Sequence, residues 1–401
     1  MRKMKDSGIE WIGEIPESWE VHRIKNHFSI ISGSGFKTDY QGEESGDLPV
    51  CKASDISNAG HRLYGSANYI SQEVRQKEGF SVIPAGSILF AKIGEAMKKN
   101  NRTLTMVDAC ADNNCQAMVP QNIHSEYAYY LFSCIDMQWF DNAGTIPCIN
   151  NTKLLNFKMA YPNMDKQNRI ADYLDKKCAE IDAIIAAKEK TNELLKERRQ
   201  SIIYEAVTKG LDPTVPMKDS GIEWIGEIPE SWKCSKAKYY IRISNGFDPK
   251  TEGDIPVYGS GSGCFKTCGE SKDGPAVLLG RKGTIDIPRY IEGKYWNVDT
   301  AFDIKTNETS LLLKYYFYLA TCFDYRFYTA TTTLPSMTQT SYENMYIPVP
   351  DINIQYNIIE YIATKCDEID YVILNNEAII EKLKEYRQSV IYEAVTGKVE
   401  I

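Results

Sequence analysis

The sequence predicts an α+β protein built as two halves, each a variable globular domain followed by one long helix. Three observations predict it: a sixteen-residue segment that occurs twice, a helical stretch that also occurs twice, and dissimilar sequence between the repeats. Residues 4–19 read MKDSGIEWIGEIPESW, and residues 217–232 read the same. Gln167 to Thr208 aligns with Gln355 to Thr396 at a shift of 188, and the ends of both stretches read Tyr-Glu-Ala-Val-Thr. The first repeat is shifted by 213, so the variable region is 25 residues shorter in the second half. Six segments follow: a Trp-rich segment at 1–19, a variable domain at 20–162, a helix at 163–210, a linker with the second Trp-rich segment at 211–232, a variable domain at 233–350 and a helix at 351–401.

Each helix has a start and a stop. Asn163 and Asp351 follow Pro162 and Pro350 and can cap a first turn, while Gly210 and Gly397 end the helices. Apolar residues recur at alternating steps of three and four, as Ile170, Leu174, Cys178, Ile181, Ile185, Leu195, Ile202 and Ala206 in the first helix. Ile358, Ile362, Cys366, Ile369, Ile373, Ile380, Leu383, Val390 and Ala394 repeat the pattern in the second. That spacing is a coiled-coil seam, and each helix is the other's natural partner. Two equivalent halves with short linkers favour antiparallel pairing about a pseudo-twofold axis, although the pattern also permits parallel pairing. Lys188, Asn192 and Asn376 interrupt the seam near the helix centres, either as a wet, loosely packed middle or as a device that fixes register. Cys178 and Cys366 read as small seam residues. By pseudo-symmetry the first Trp-rich segment belongs beside the end of the second helix, around Tyr392 to Val395.

Composition narrows the class. A chain of 401 residues, 43% hydrophobic and 25% charged, is long enough for two or three folded units and excludes a disordered or purely coiled-coil protein. The net charge of −8 gives no support to nucleic-acid binding. The opening residues Met1 to Gly8 lack the apolar core of a signal peptide, and the apolar stretch Leu311 to Phe323 is broken by Lys314. A cytoplasmic protein with reduced thiols is expected, since the 11 cysteines form no CxxC pair.

Catalytic signatures are missing. There is no Pro-Pro dipeptide, as an amino-methyltransferase motif would need, and no P-loop. Gly259-Ser-Gly-Ser-Gly reads as a flexible loop rather than a nucleotide cradle. His22 and His27 have no cysteine pair nearby, and Cys264 and Cys268 stand alone, so no zinc site is expected.

The frame strongly resembles the specificity subunit of type I restriction–modification systems. The residues that carry the resemblance are the two Lys-Asp-Ser-Gly-Ile-Glu-Trp-Ile-Gly-Glu-Ile-Pro-Glu-Ser-Trp segments, the Pro162/Gln167 and Pro350/Gln355 helix entries, and the Tyr-Glu-Ala-Val-Thr exits. It covers the whole chain in the family's order. It implies two globular α/β target-recognition domains separated by two long helices that pair as an antiparallel coiled coil. Each domain would read one half of a bipartite double-stranded DNA target, and the helices would set the spacing and dock two methylation subunits. The chain itself would be non-catalytic and bind no cofactor or metal. S-adenosylmethionine would come with the methylation subunits, and ATP and Mg with motor-nuclease restriction subunits. Because the two domains differ, the target is expected to be asymmetric.

The domains are close to neutral, with 13 basic and 15 acidic residues over 20–165 and 14 and 13 over 233–354, so DNA contacts must come from local clusters. In the first domain these are Lys92, Lys98, Lys99, Asn100, Asn101 and Arg102. In the second they are Ser260, Ser262 and Lys266 of the glycine-rich loop, with Arg281, Lys282 and Thr284 after the apolar run Ala276 to Leu279. Such donors suit phosphates and base edges, and equally a solvated loop. Ser54, Asp55 and Thr331 to Thr333 are weaker candidates. Two other readings compete: a coiled-coil scaffold whose variable domains bind proteins, and a self-contained DNA methyltransferase or nuclease, which the missing motifs disfavour.

Overall fold

A computed structural model describes residues 2–142, 144–328 and 335–401. The chain forms two compact units, Met1–Ala187 with Ile379–Ile401, and Lys188–Ala378. Each unit thus takes half of each long helix together with one variable domain.

In the first unit the Trp-rich segment folds as a hairpin of Met4–Asp6 and Glu14–Pro16. The domain then opens and closes on one ribbon, Glu20–Arg23 antiparallel to Lys158–Tyr161. Within it lies a five-stranded sheet in the order Phe28–Ser32, Cys115–Pro120, Ile88–Ala91, Arg102–Thr105, Arg62–Leu63. A smaller sheet of Cys110–Ala111, Leu48–Cys51 and Tyr69–Ile70 completes it. The strand Ile88–Ala91 is buried along its whole length, as its unbroken apolar run requires.

The second unit repeats the plan with different edges. Met217–Asp219 and Glu227–Pro229 form the hairpin, and Lys233–Lys236 pairs with Tyr346–Val349 as the closing ribbon. Its main sheet runs Ile241–Asn245, Ala301–Thr306, Ala276–Gly280, Arg289–Ile291, and a second runs Cys264–Cys268, Ile255–Tyr258, Lys294–Asn297, Lys272–Asp273.

The long helices span Met164–Lys209 and Ile352–Val395. The Asn163 side chain caps the first by accepting the Lys166 N–H at 3.0 Å, and Gly210 and Gly397 follow the ends in left-handed conformation, with φ of 77° and 70°. They pair antiparallel. In the first unit Arg387 meets Asp182 at 2.9 Å, and in the second the equivalent Arg199 meets Asp370 at 3.6 Å. The apolar stripe has two jobs, which the coiled-coil reading did not separate. Ile170, Leu174 and Cys178 belong to the core of the first domain, and Ile358, Ile362 and Cys366 to that of the second. Ile202, Ile369 and Ile373, with Leu195 against them, pack helix to helix.

The polar seam is not loose. Asn376 donates to Asn192 at 2.9 Å, and Lys188 donates to Asn376 at 3.0 Å. Both asparagines are buried, at 7% and 8% exposure, so a shifted register would strand their amides. This favours the register-fixing reading.

The first Trp-rich segment packs on the end of the second helix. The Trp11 carbonyl accepts the Tyr392 hydroxyl at 2.8 Å, and its ring lies 6.3 Å from that of Tyr392 and 6.1 Å from that of Phe157. Arg2 donates to the Gly397 carbonyl. Trp11→Ala removes those ring contacts, at a cost of about 3 kcal/mol. Amide hydrogen exchange is expected to show reduced protection over residues 390–396 in that variant, around Tyr392, which lies 381 residues from Trp11 in sequence.

Candidate nucleic-acid interface

The candidate side chains sit on loops, and the backbone decides which of them face outward. In the first domain the chain leaves the buried strand Ile88–Ala91 at half-exposed Lys92, then enters a short helix, Gly94–Lys98. Lys98 is exposed and pairs with Glu95 at 2.6 Å, Lys99 is exposed, and Asn101 is exposed with its amide on Ser57 Oγ at 3.0 Å. Asn100 and Arg102 turn the other way. Asn100 adopts a φ of 58°, accepts the Met137 N–H at 3.0 Å and donates to the Ile135 carbonyl at 3.2 Å. Arg102 is buried, and its guanidinium donates to the carbonyls of Phe132, Asn100 and Ile135. Burial pushes its pKa down to about 10. Both residues hold the turn: Arg102 is buried and its guanidinium is spent on carbonyls, whereas Asn100 is half-exposed and donates one amide N–H to Ile135. A basic run in sequence did not reveal this, because the left-handed turn at Asn100 reverses the side-chain direction.

In the second domain Gly259–Gly263 is the turn between the strands Ile255–Tyr258 and Cys264–Cys268, a loop as expected. Ser262 and Lys266 are exposed, and Lys266 lies 5.6 Å from the exposed ring of Phe265. Half-exposed Arg281 and Thr284 and exposed Lys282 follow the buried strand Ala276–Gly280. The two clusters meet: a Cβ on Gly283 would lie 3.7 Å from Ser260 Oγ, and the Ser260 N–H reaches Thr300 Oγ1 at 3.3 Å. A close approach also explains Gly246, where a Cβ would run into the Val298 carbonyl, and Gly33, where it would run into that of Asp112. Asp55 is a helix cap, accepting the Lys52 N–H at 2.7 Å, and Thr331 to Thr333 lie outside the described residues.

One polar network outside these loops escaped sequence reasoning. Arg62 donates to Glu126 at 2.9 Å and reaches Asp175 at 2.5 Å, His61 meets Glu126 at 2.8 Å, and Tyr130 donates to Asp175 at 2.6 Å. His61, Glu126 and Asp175 have the spacing of a metal site, but the Arg62 guanidinium already supplies the positive charge between the two carboxylates. The network instead ties the sheet edge to the first long helix. At the position of the second domain related to Glu126 by the 188-residue shift, Lys314 of the short helix Leu313–Ala320 stands 3.8 Å from the ring of Tyr290 on the edge strand Arg289–Ile291. His22 and His27 stack with their nitrogens 3.0 Å apart.

Burial works against the charge of Glu126, but hydrogen bonds from His61 and Arg62 outweigh it and hold its pKa below the ordinary 4.5. A carboxylate depressed in the folded state stabilises above its unfolded pKa, and the benefit disappears as pH falls through the folded value. Thermal melting of Glu126→Gln is therefore expected to be less stable than wild type at neutral pH, by about 1–2 kcal/mol. The gap should close as pH drops below 4.5.

Comparison with known proteins gives a consistent picture. A family model described as type I restriction modification DNA specificity domain matches residues 16–196 and again 225–385. The type I restriction enzyme MjaIX specificity subunit of Methanocaldococcus jannaschii is 26% identical over 251 residues, 59% of this chain and 54% of that protein. The EcoR124I/EcoR124II specificity subunit of Escherichia coli is 27% identical over 180 residues, 43% of this chain and 41% of that protein. The matched segments thus span about half the length of these relatives. A solved chain from a study of assembly and conformational transition of the type I restriction–modification system has a TM-score of 0.73 at 13% identity, covering 96% of this chain and 99% of that one. The HsdS subunit of Thermoanaerobacter tengcongensis has a TM-score of 0.52 at 14% identity, covering 96% and 98%. At such identities the two structures establish the fold. No described helix is long and apolar enough to cross a membrane.

Proposed function

This chain belongs to the type I restriction–modification DNA specificity family, and from that premise we propose that it is the DNA-reading, non-catalytic subunit of such a complex. Each variable domain reads one half of an asymmetric bipartite target in double-stranded DNA. The helices set the distance between half-sites and dock two methylation subunits, which bring S-adenosylmethionine; restriction subunits bring ATP and Mg. The setting is the cytoplasm. The observation that carries the reading is the duplicated family match, one copy over each variable domain. The outward-facing candidates Lys92, Lys98, Lys99 and Asn101, and Ser260, Ser262, Lys266, Arg281, Lys282 and Thr284, supply the donors for phosphates and base edges.

Partner docking has its own support. The middle of each long helix exposes one large apolar side chain at a position related by the 188-residue repeat: Ile184 at 48% exposure corresponds to Val372 at 41%. Tyr371 and Leu374 beside the latter are 69% and 65% exposed. The first helix has Ala183 and Ala186 at the corresponding positions, so the larger apolar patch is on the second helix, and apolar groups left in water there suit a protein partner.

The domains differ in sequence and length, so they are expected to act independently. Replacing residues 233–350 with the domain of a relative should change one half of the target, read by sequencing N6-methyladenine in cells carrying the complex. A change in both halves would count against independent readers, and methylation by this chain alone would count against a non-catalytic role. The paired substitution Tyr371→Glu with Leu374→Glu is expected to weaken capture of the methylation subunit at least tenfold. Melting of the free chain should stay within a few degrees, since both residues are exposed.

A further inference from the structure

The main sheet of each domain ends in one backbone construction that holds a different cation in each. In the first domain the Lys92 N–H donates to the Asn114 carbonyl at 2.8 Å, and the Lys92 carbonyl accepts the Ile149 N–H at 3.0 Å. Gly94, two residues on, has a φ of 72° and donates to the Pro147 carbonyl at 2.8 Å. In the second domain the Arg281 N–H donates to the Thr300 carbonyl at 2.7 Å, and the Arg281 carbonyl accepts the Met337 N–H at 2.9 Å. Gly283 has a φ of 80° and donates to the Pro335 carbonyl at 2.9 Å. The residues between match too, with Ile93 bridging to Cys148 and Lys282 to Ser336. The same three bonds and the same left-handed glycine recur in domains that otherwise share little sequence.

A residue fixed through its own N–H, its own carbonyl and a glycine two residues later has only side-chain torsions left to settle. Base-edge readout needs such fixed placement, whereas a phosphate contact tolerates a mobile lysine. Among the described residues Lys92 makes no side-chain hydrogen bond or ion pair. Arg281 makes one long side-chain hydrogen bond, Nη1 to the Asp299 carbonyl at 3.4 Å, and rests 5.9 Å from the buried ring of Phe302. Among the described residues its other N–H groups make no hydrogen bond. Lys and Arg are donors without acceptors, and the base edge that presents two acceptors together is guanine, at O6 and N7. Lys98, Lys99, Lys266 and Lys282 fit phosphates instead: all four are exposed, and Lys98, Lys99 and Lys266 lie outside the construction.

We propose that Lys92 and Arg281 are the corresponding base-reading residues of the two domains, each donating to a guanine in its own half-site. This rests on the DNA-reading role proposed above. The test uses the assembled methylation complex and sequencing of N6-methyladenine. The wild-type complex must first yield a bipartite motif; if it yields none, the DNA-reading role itself fails and this assignment falls with it. With a motif in hand, Lys92→Ala is expected to relax one guanine position of one half-site, and Arg281→Ala one guanine position of the other. Methylation at sites mismatched there should rise, relative to matched sites, on the order of tenfold to a hundredfold. Lys92→Arg and Arg281→Lys should restore most of the preference. Binding weakened equally at all sequences, with the motif intact, would identify phosphate contacts and overturn the proposal, as would an unchanged motif at an unchanged rate. Melting of each variant separates a lost contact from a lost fold; if the Ala variants fail to fold, Lys92→Met and Arg281→Met keep the stem and carry the same test.

Discussion

Each variable domain is gripped by the start of one long helix and the end of the other, and the rest of the architecture depends on that grip. In the first unit Gln167, in the opening turn of the first helix, accepts the His124 N–H at 2.9 Å and donates to the Pro162 carbonyl at 2.9 Å. Tyr127 of the aromatic helix Ser125–Ser133 reaches the Val395 carbonyl at the end of the second helix. In the second unit Gln355 accepts the Leu312 N–H at 2.8 Å and donates to the Pro350 carbonyl at 2.9 Å, and Tyr315 donates to the Val207 carbonyl at 3.0 Å. These groups are buried, so each bond replaces water that is no longer available, and losing either partner would leave an unpaired polar atom. A domain held by opposite ends of two helices requires those helices to run antiparallel.

That requirement explains why the apolar stripe is shared rather than continuous as a seam. The first turns of each helix bury Ile170 and Leu174, or Ile358 and Ile362, in a globular core, and the last turns bury Ile391 and Val395, or Ile203 and Val207. Helix-to-helix contact is left to the middle, where hydrogen-bonded asparagines sit beside a short run of isoleucines. Apolar contacts alone would tolerate sliding by one heptad, whereas a buried amide pair has one satisfied arrangement.

The two domains show how a common backbone carries different chemistry. Main-chain bonds fix where the strand-end cation stands, and they do not depend on which cation it is. The contact between sheet edge and short helix is private to each domain: Arg62 and His61 on Glu126 in one, Lys314 against Tyr290 in the other. Net-neutral domains fit the proposed reading, in which local presentation and not overall charge would select the contact.

Much of the frame was determined by the sequence alone, because periodicity, caps and repeats are local or self-referential signals. The helix ends at Asn163, Gly210 and Gly397, the stripe, and the placement of the first Trp-rich segment beside Tyr392 all follow from them. The 188-residue register in fact runs further back, through Tyr127/Tyr315 and Tyr130/Tyr318, but there only buried positions repeat, and a short buried helix leaves a faint trace. Only the tertiary structure decided which of the basic residues face outward. Lys99 and Arg102 are three apart in one polar run, yet one is exposed and the other spends its guanidinium on carbonyls, because the left-handed turn at Asn100 lies between them. The correspondence of Lys92 with Arg281 was likewise decided there, since it rests on main-chain hydrogen bonds, which any side chain at those positions can make.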